Sequence, residues 1–154
     1  MGSKARLIFA AVKTALQAAN GADPYTYDLS SAGRVVMRRP RMEDTQSPVV
    51  YAMLEGFDSE GAPTIGEYRR NLILHIEGRV SPGTQDPEER ALSALDLLND
   101  IMQALQSDRS LGNLVLDIIV SGTTLDGDEV GLTNFGIVYA MATMHWDALS
   151  TEGA

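Results

Sequence analysis

DPEERALSALDLLNDIMQALQS, residues 86–107, stands between two groups of strand-like segments. Its conformation decides whether the chain is all-β or mixed. Asp86 is placed to cap a helix, Pro87 suits the first helical position, and Glu89 at the third gives a capping-box-like pattern. Glu88 and Glu89 sit where the positive end of the helix dipole favours carboxylates. Leu92, Leu95, Leu98, Ile101, Met102 and Leu105 recur at helical spacing and are expected to form one buried stripe. The spacing predicts a helix, ended by SDRSLGN.

Upstream, Ser3–Ala19 also has helical periodicity. Leu7, Ile8, Ala11, Val12, Ala15, Leu16 and Ala19 form its apolar side, with Arg6, Lys13 and Gln17 opposite. Ser3 is the expected N-cap and Asn20-Gly21 the stop. A loop rich in turn formers, ADPYTYDLSSAG, follows. Arg34–Arg39 reads as a short strand, and Pro40, which lacks a backbone donor, suits a sheet edge. SPVVYAMLEGF and EYRRNLILHIEGRV alternate as strands, joined through DSEGAPTIGE as an extended hairpin over 47–80. In the second of these, Leu72, Leu74 and Ile76 share one face.

Downstream, NLVLDIIVSG and GLTNFGIVYAMATMHW read as two more strands around the acidic turn TTLDGDE. Both faces of the last strand are mostly apolar, which predicts a central or doubly covered position. The order is α-β-β-β-α-β-β over one domain, 1–154. It predicts an α+β fold with about five strands, antiparallel or mixed, and two main helices packed on the sheet.

The composition narrows the chemistry. Without cysteine there is no disulfide, thiolate metal site or cysteine nucleophile. No apolar run reaches the length of a membrane span, and Lys13 interrupts the apolar N-terminal stretch that a signal peptide would need. A formal net charge of -9 opposes general affinity for nucleic acid, which rests on cationic contacts. The phosphate-loop, dinucleotide and nucleophile-elbow motifs are absent. His75 and His145 stand on different strands and read as surface or interface histidines. LDGDEVG departs from a calcium loop, and Asp126, Asp128 and Glu129 read as a solvated turn. No catalytic, cofactor-binding or metal-ligating residue is assigned, and no enzymatic activity is expected.

One charged feature stands out. RVVMRRPRMED, residues 34–44, places four arginines within eight residues of an acidic chain. Arg34 and Arg38 would share a strand face with Val36, and Arg39 would fall on the other. Charged groups beside a proline protect a sheet edge from stray pairing. Arginine is also well suited to pairing with carboxylates across a subunit interface.

The element order resembles that of the tail terminator (tail-completion) proteins of long-tailed bacteriophages. DPEERALSALDLLNDIMQAL, SLGNLVLDIIVSG and GLTNFGIVYAMATMHW carry most of the likeness, with ARLIFAAVKTAL, the arginine-bearing strand and the long hairpin in support. Gly112-Asn113 stands where relatives often have Gly-Gly, and asparagine tolerates the left-handed backbone such a turn needs.

The resemblance implies a structural subunit of the virion, assembled in the host cytoplasm and located at the head–tail junction. It implies a homo-oligomeric ring, a hexamer in that family, which caps the tail tube, ends its polymerisation and meets the head-completion connector. DNA would cross the bore without specific binding, and no cofactor or membrane is involved. Arg34, Arg38, Arg39, Arg41, Glu43 and Asp44 are the expected subunit or tube interface, with Glu60, Thr64 and Glu67 around the hairpin tip. The tip is expected to order on assembly. The competing expectations are another head–tail junction ring (a connector or stopper), a ligand-binding or enzymatic α+β domain, and a nucleic-acid-binding module.

Overall fold

The structure is a computed structural model that describes residues 3–41, 43–61, 67–83 and 85–149. Helix α1 spans Lys4–Gln17 and starts at Ser3, whose hydroxyl accepts from the Arg6 N–H. Strand β1 is only Val35–Val36. The long strands β2 (Val49–Gly61) and β3 (Glu67–Val80) follow, then α2 (Pro87–Gln106), β4 (Asp117–Asp126), a short 3-10 turn (Gly127–Val130) and β5 (Gly136–Leu149). The fold is α+β, in the expected element order. The five strands form one sheet in the order β1-β2-β3-β5-β4. β1 runs parallel to β2 and all other pairs are antiparallel, so the sheet is mixed.

Both helices lie on one face of the sheet. Leu72, Leu74 and Ile76 of β3 point into that layer, with Val138, Ala140 and Ala142 of β5 beside them. Ile8, Val12 and Leu16 of α1 and Leu97, Ile101 and Leu105 of α2 complete it. Each of the buried Leu, Ile and Val side chains among these contributes roughly 1.5–3 kcal/mol, which is what holds two otherwise marginal helices in place. Val49, Tyr51 and Met53 form a second, smaller cluster on the opposite face. The alternation within β2 therefore feeds two cores.

Four expectations need correction. The stripe foreseen on α2 holds at Leu98, Ile101 and Leu105, but not at its start: Leu92 is 49% and Leu95 55% exposed, while Ala94, Leu97 and Ala104 join the core. The cause lies in the sheet. A Cβ at Gly78 would come within 2.9 Å of Leu97, at Gly122 within 2.8 Å of Leu98, and at Gly136 within 2.4 Å of the Arg90 carbonyl oxygen. These glycines, from three strands, make a trough that admits α2 in one rotation.

The strand expected over Arg34–Arg39 pairs only at Val35 and Val36, because the chain then leaves the edge towards the second sheet face. Pro40 lies beyond this edge strand. Strand β4 begins later than expected. Leu111, Gly112 and Asn113 all have positive φ (48°, 67° and 68°), and Asp108 accepts from the Ser110 and Gly112 N–H groups in that turn. β5 is interior in the sheet, as expected, but helices cover only one of its faces, and Met141 on the other is 37% exposed. Its first residue is Gly136, so Phe135 belongs to the preceding turn.

Two buried charges tie loops to this frame. Asp100 of α2 is fully buried and accepts from the Thr26 N–H (3.0 Å) and the Tyr27 N–H (2.8 Å). Arg90 of α2 is 2% exposed and pairs with Asp126 (3.0 Å) and Asp128 (2.9 Å). The acidic turn is thus partly neutralised by a guanidinium from within the chain, a partner that local sequence did not reveal.

Candidate functional site

The arginine segment folds back on the second sheet face. Arg38 grips Asp44 with both terminal nitrogens, at 2.9 and 3.2 Å, and the Arg41 N–H donates to the same carboxylate at 2.7 Å. The Tyr51 hydroxyl beside it also favours the ionised form of Asp44. The guanidiniums of Arg38 and Arg79 lie over the Tyr51 ring, 5.6 and 5.4 Å from its centroid. Each position is suited to a cation–π contact. Arg79 is itself held by Glu77 at 2.6 Å. Arg34 donates to the carbonyl oxygens of Ser47 and Pro48 at 2.8 and 3.2 Å, fastening the two ends of the loop.

The knot therefore divides. Arg34 and Arg38 are engaged within the chain, and Asp44 is the partner of Arg38. Arg39, Arg41 and Glu43 are exposed, and neither Arg39 nor Arg41 has an ion-pair partner among the described residues. These two are the arginines free to meet another molecule.

Arg38, with the Arg41 N–H in support, holds the Asp44 carboxyl well below the usual carboxylate range. Its contribution to stability is present above the unfolded value and is lost as pH falls through the folded one. Asp44→Asn removes the charge that gathers Arg38, Arg41 and Tyr51. Trypsin is expected to cleave after Arg41 faster in that variant than in wild type. Equal cleavage rates would show that the loop is held by something else.

The β2–β3 hairpin supplies the second candidate surface. Register places Asp58, Asn71, His145 and Asp117 in one row across β2, β3, β5 and β4. Beyond Asp117 the sheet continues without β4, as a three-stranded arm of β2, β3 and β5. Arg69–Asp147 (3.3 Å) and Asn71–Asp58 (2.8 Å) bridge its strands. On the helix side, Phe57 packs edge-to-face on Trp146 with centroids 5.9 Å apart. Leu54, Phe57 and Tyr68 remain 58%, 38% and 42% exposed. A groove of about 390 Å³ runs between this side of the arm and the start of α1, lined by Ala5, Arg6, Phe9, Leu54, Phe57 and Leu72.

Glu60 and Glu67 stand on the paired strands near the tip, opposite Arg69 and Leu149, with side chains outside the described residues. Thr64 and the tip at 62–66 lie outside the described residues altogether.

The histidines do not converge. His75 packs against the Tyr139 ring at 5.9 Å, and His145 belongs to the Asp58–Asp117 row. The row of Ile73, Thr143 and Ile119 separates them, and they line different shallow concavities. Among the described residues no pocket is lined by both. Among the described residues no group of three His, Asp or Glu side chains is arranged to hold a metal ion. No helix among them is long and apolar enough to cross a membrane.

Three features of these surfaces were not legible in the sequence. They are the groove beside α1, the outward leucines of α2, and the pairing of Arg90 with the acidic turn. The groove had a partial signal in the crowding of apolar residues on both sides of α1. The other two had none, because their partners are distant in sequence. No protein-family model matches the chain, and no curated protein matches it in sequence.

Proposed function

We propose that this chain is a structural virion protein of the tail-terminator kind. It assembles as a homo-oligomeric ring, most simply a hexamer, on the end of a phage tail tube. The ring ends tube growth and offers its other side to the head-completion connector.

The observation that carries this reading is the three-stranded arm, with Leu54, Phe57 and Tyr68 exposed on one side of it. Apolar groups on a projecting arm lose their contact with water only against another molecule. Arg39 and Arg41, in the segment after the edge strand β1, add a second, unlike surface. A ring needs two different complementary patches on one subunit, because its interfaces are head-to-tail. The net charge of -9 per subunit suits a bore that DNA must cross without being retained. No catalytic step is part of the proposal.

Light scattering on the purified protein, with and without tail tube protein, tests it. The expected result is a closed multiple of the 16.6 kDa subunit, formed alone or on addition of tube protein. A strict monomer that ignores tube protein overturns the proposal. Assembly with portal but not with tube protein would instead identify a connector or stopper.

A further inference from the structure

We infer that the outward face of α2 docks into the groove beside α1 of a second copy of this chain, and that this contact is the repeating interface of the ring. The inference rests on the ring reading and adds which surfaces meet.

Three observations point to that pairing. The first is shape and polarity. Leu92 and Leu95 stand three residues apart on the solvent side of α2, 49% and 55% exposed. An i, i+3 pair on a helix presents two adjacent knobs. The groove beside α1 offers an apolar trough in which Phe9, Leu54 and Phe57 take part, with a volume of about 390 Å³.

The second is charge. α1 carries Lys4, Arg6 and Lys13 and no acidic residue. The exposed side of α2 carries Glu88, Glu89 and Asp96, while its one basic residue, Arg90, is buried and already paired. None of these three cations or three carboxylates has an ion-pair partner among the described residues. An acidic, leucine-bearing helix therefore meets an apolar groove that Arg6 lines on an α1 without acidic residues, and complementary potentials favour that encounter over self-pairing of like faces.

The third is geometry. The two patches are different surfaces of one subunit, so the contact is heterologous and repeats from copy to copy. Within one subunit α1 and α2 already pack side by side, and the α1 groove opens beside the arm, not towards that subunit's own Leu92 and Leu95. The pair can be satisfied only between copies.

The test uses full-length protein and charge reversal at exposed positions, with tube protein present if wild type needs it to assemble. Glu88→Lys with Asp96→Lys is expected to raise the concentration needed for assembly by tenfold or more, and so is Arg6→Glu with Lys13→Glu. Combining the two sets restores assembly. Leu92→Ser with Leu95→Ser weakens assembly without rescue, and the exposed positions keep each variant folded by circular dichroism.

If wild type assembles and all these variants assemble equally well, the interface is wrong and the ring reading stands. If either reversal weakens assembly but the combination does not recover it, the two patches do not meet each other, and the pairing is overturned. A wild type that stays monomeric at every concentration, alone and with tube protein, overturns the ring and the interface together.

Discussion

Replacing Asp100 with leucine lowers stability by about 3 kcal/mol, and the melting temperature by about 10 °C. Asp100 is fully buried on α2 and its carboxylate receives the backbone N–H groups of Thr26 and Tyr27. Leucine fills similar space but accepts nothing. Two N–H groups lose charged acceptors, and the loop after α1 loses its tie to α2. Tyr27, whose hydroxyl donates to the Ser93 carbonyl oxygen at 3.3 Å, and the buried Leu29 are left to hold the loop.

The effect depends on pH. Burial pushes the Asp100 carboxyl above its ordinary range. The folded value exceeds the unfolded one, so between them the native state holds the extra proton. This contribution to stability falls as pH rises through that window. The leucine variant lacks the slope, so its deficit against wild type is greatest at the acid end and shrinks towards neutral pH. Thermal melts of both proteins from pH 4 to pH 7 check this. A deficit constant across the range would mean that the carboxyl is not shifted as burial requires.

Gly136→Ala is expected to be at least as damaging, at about 3 kcal/mol. The added Cβ would lie 2.4 Å from the Arg90 carbonyl oxygen and 2.9 Å from the Ala94 Cβ. The first of these is backbone of α2, so no rotamer change relieves the clash. Either α2 lifts from β5 or β5 shifts in the sheet, and both disturb the core around Leu97 and Ile101. Chemical denaturation compared with Gly83→Ala isolates the effect. Gly83 has open space around its Cβ position but a φ of +78°, so that variant registers backbone strain without a clash. Equal losses for the two would remove the close approach as the reason for glycine at 136.

How far the sequence led can be followed in particular elements. Ser3 and Asp86 cap the helices where local rules placed them, because a cap needs only its own turn. Leu72, Leu74 and Ile76 share the core face as alternation required. The edge position of the arginine segment followed from Pro40 and its charges. The partners of those charges did not: Asp44 is only six residues from Arg38, but the pair also needs Tyr51 and Arg79, brought in by β2 and β3.

Sequence by itself determined the α+β class, the order of elements, the two-sided apolar character of β2 and the absence of thiol chemistry. These follow from periodicity and composition, which are properties of short stretches. Tertiary structure decided how the first half of α2 is turned. Leu98, Ile101 and Leu105 are buried as their spacing required, but either Leu92 and Leu95 or Ala94 and Leu97 are apolar enough to join them. The choice is made by Gly78, Gly122 and Gly136, whose missing side chains come together only when β3, β4 and β5 assemble. Because the helix settles into that trough, Leu92 and Leu95 are left facing out, and the outward surface of α2 is fixed by contacts between residues far apart in sequence.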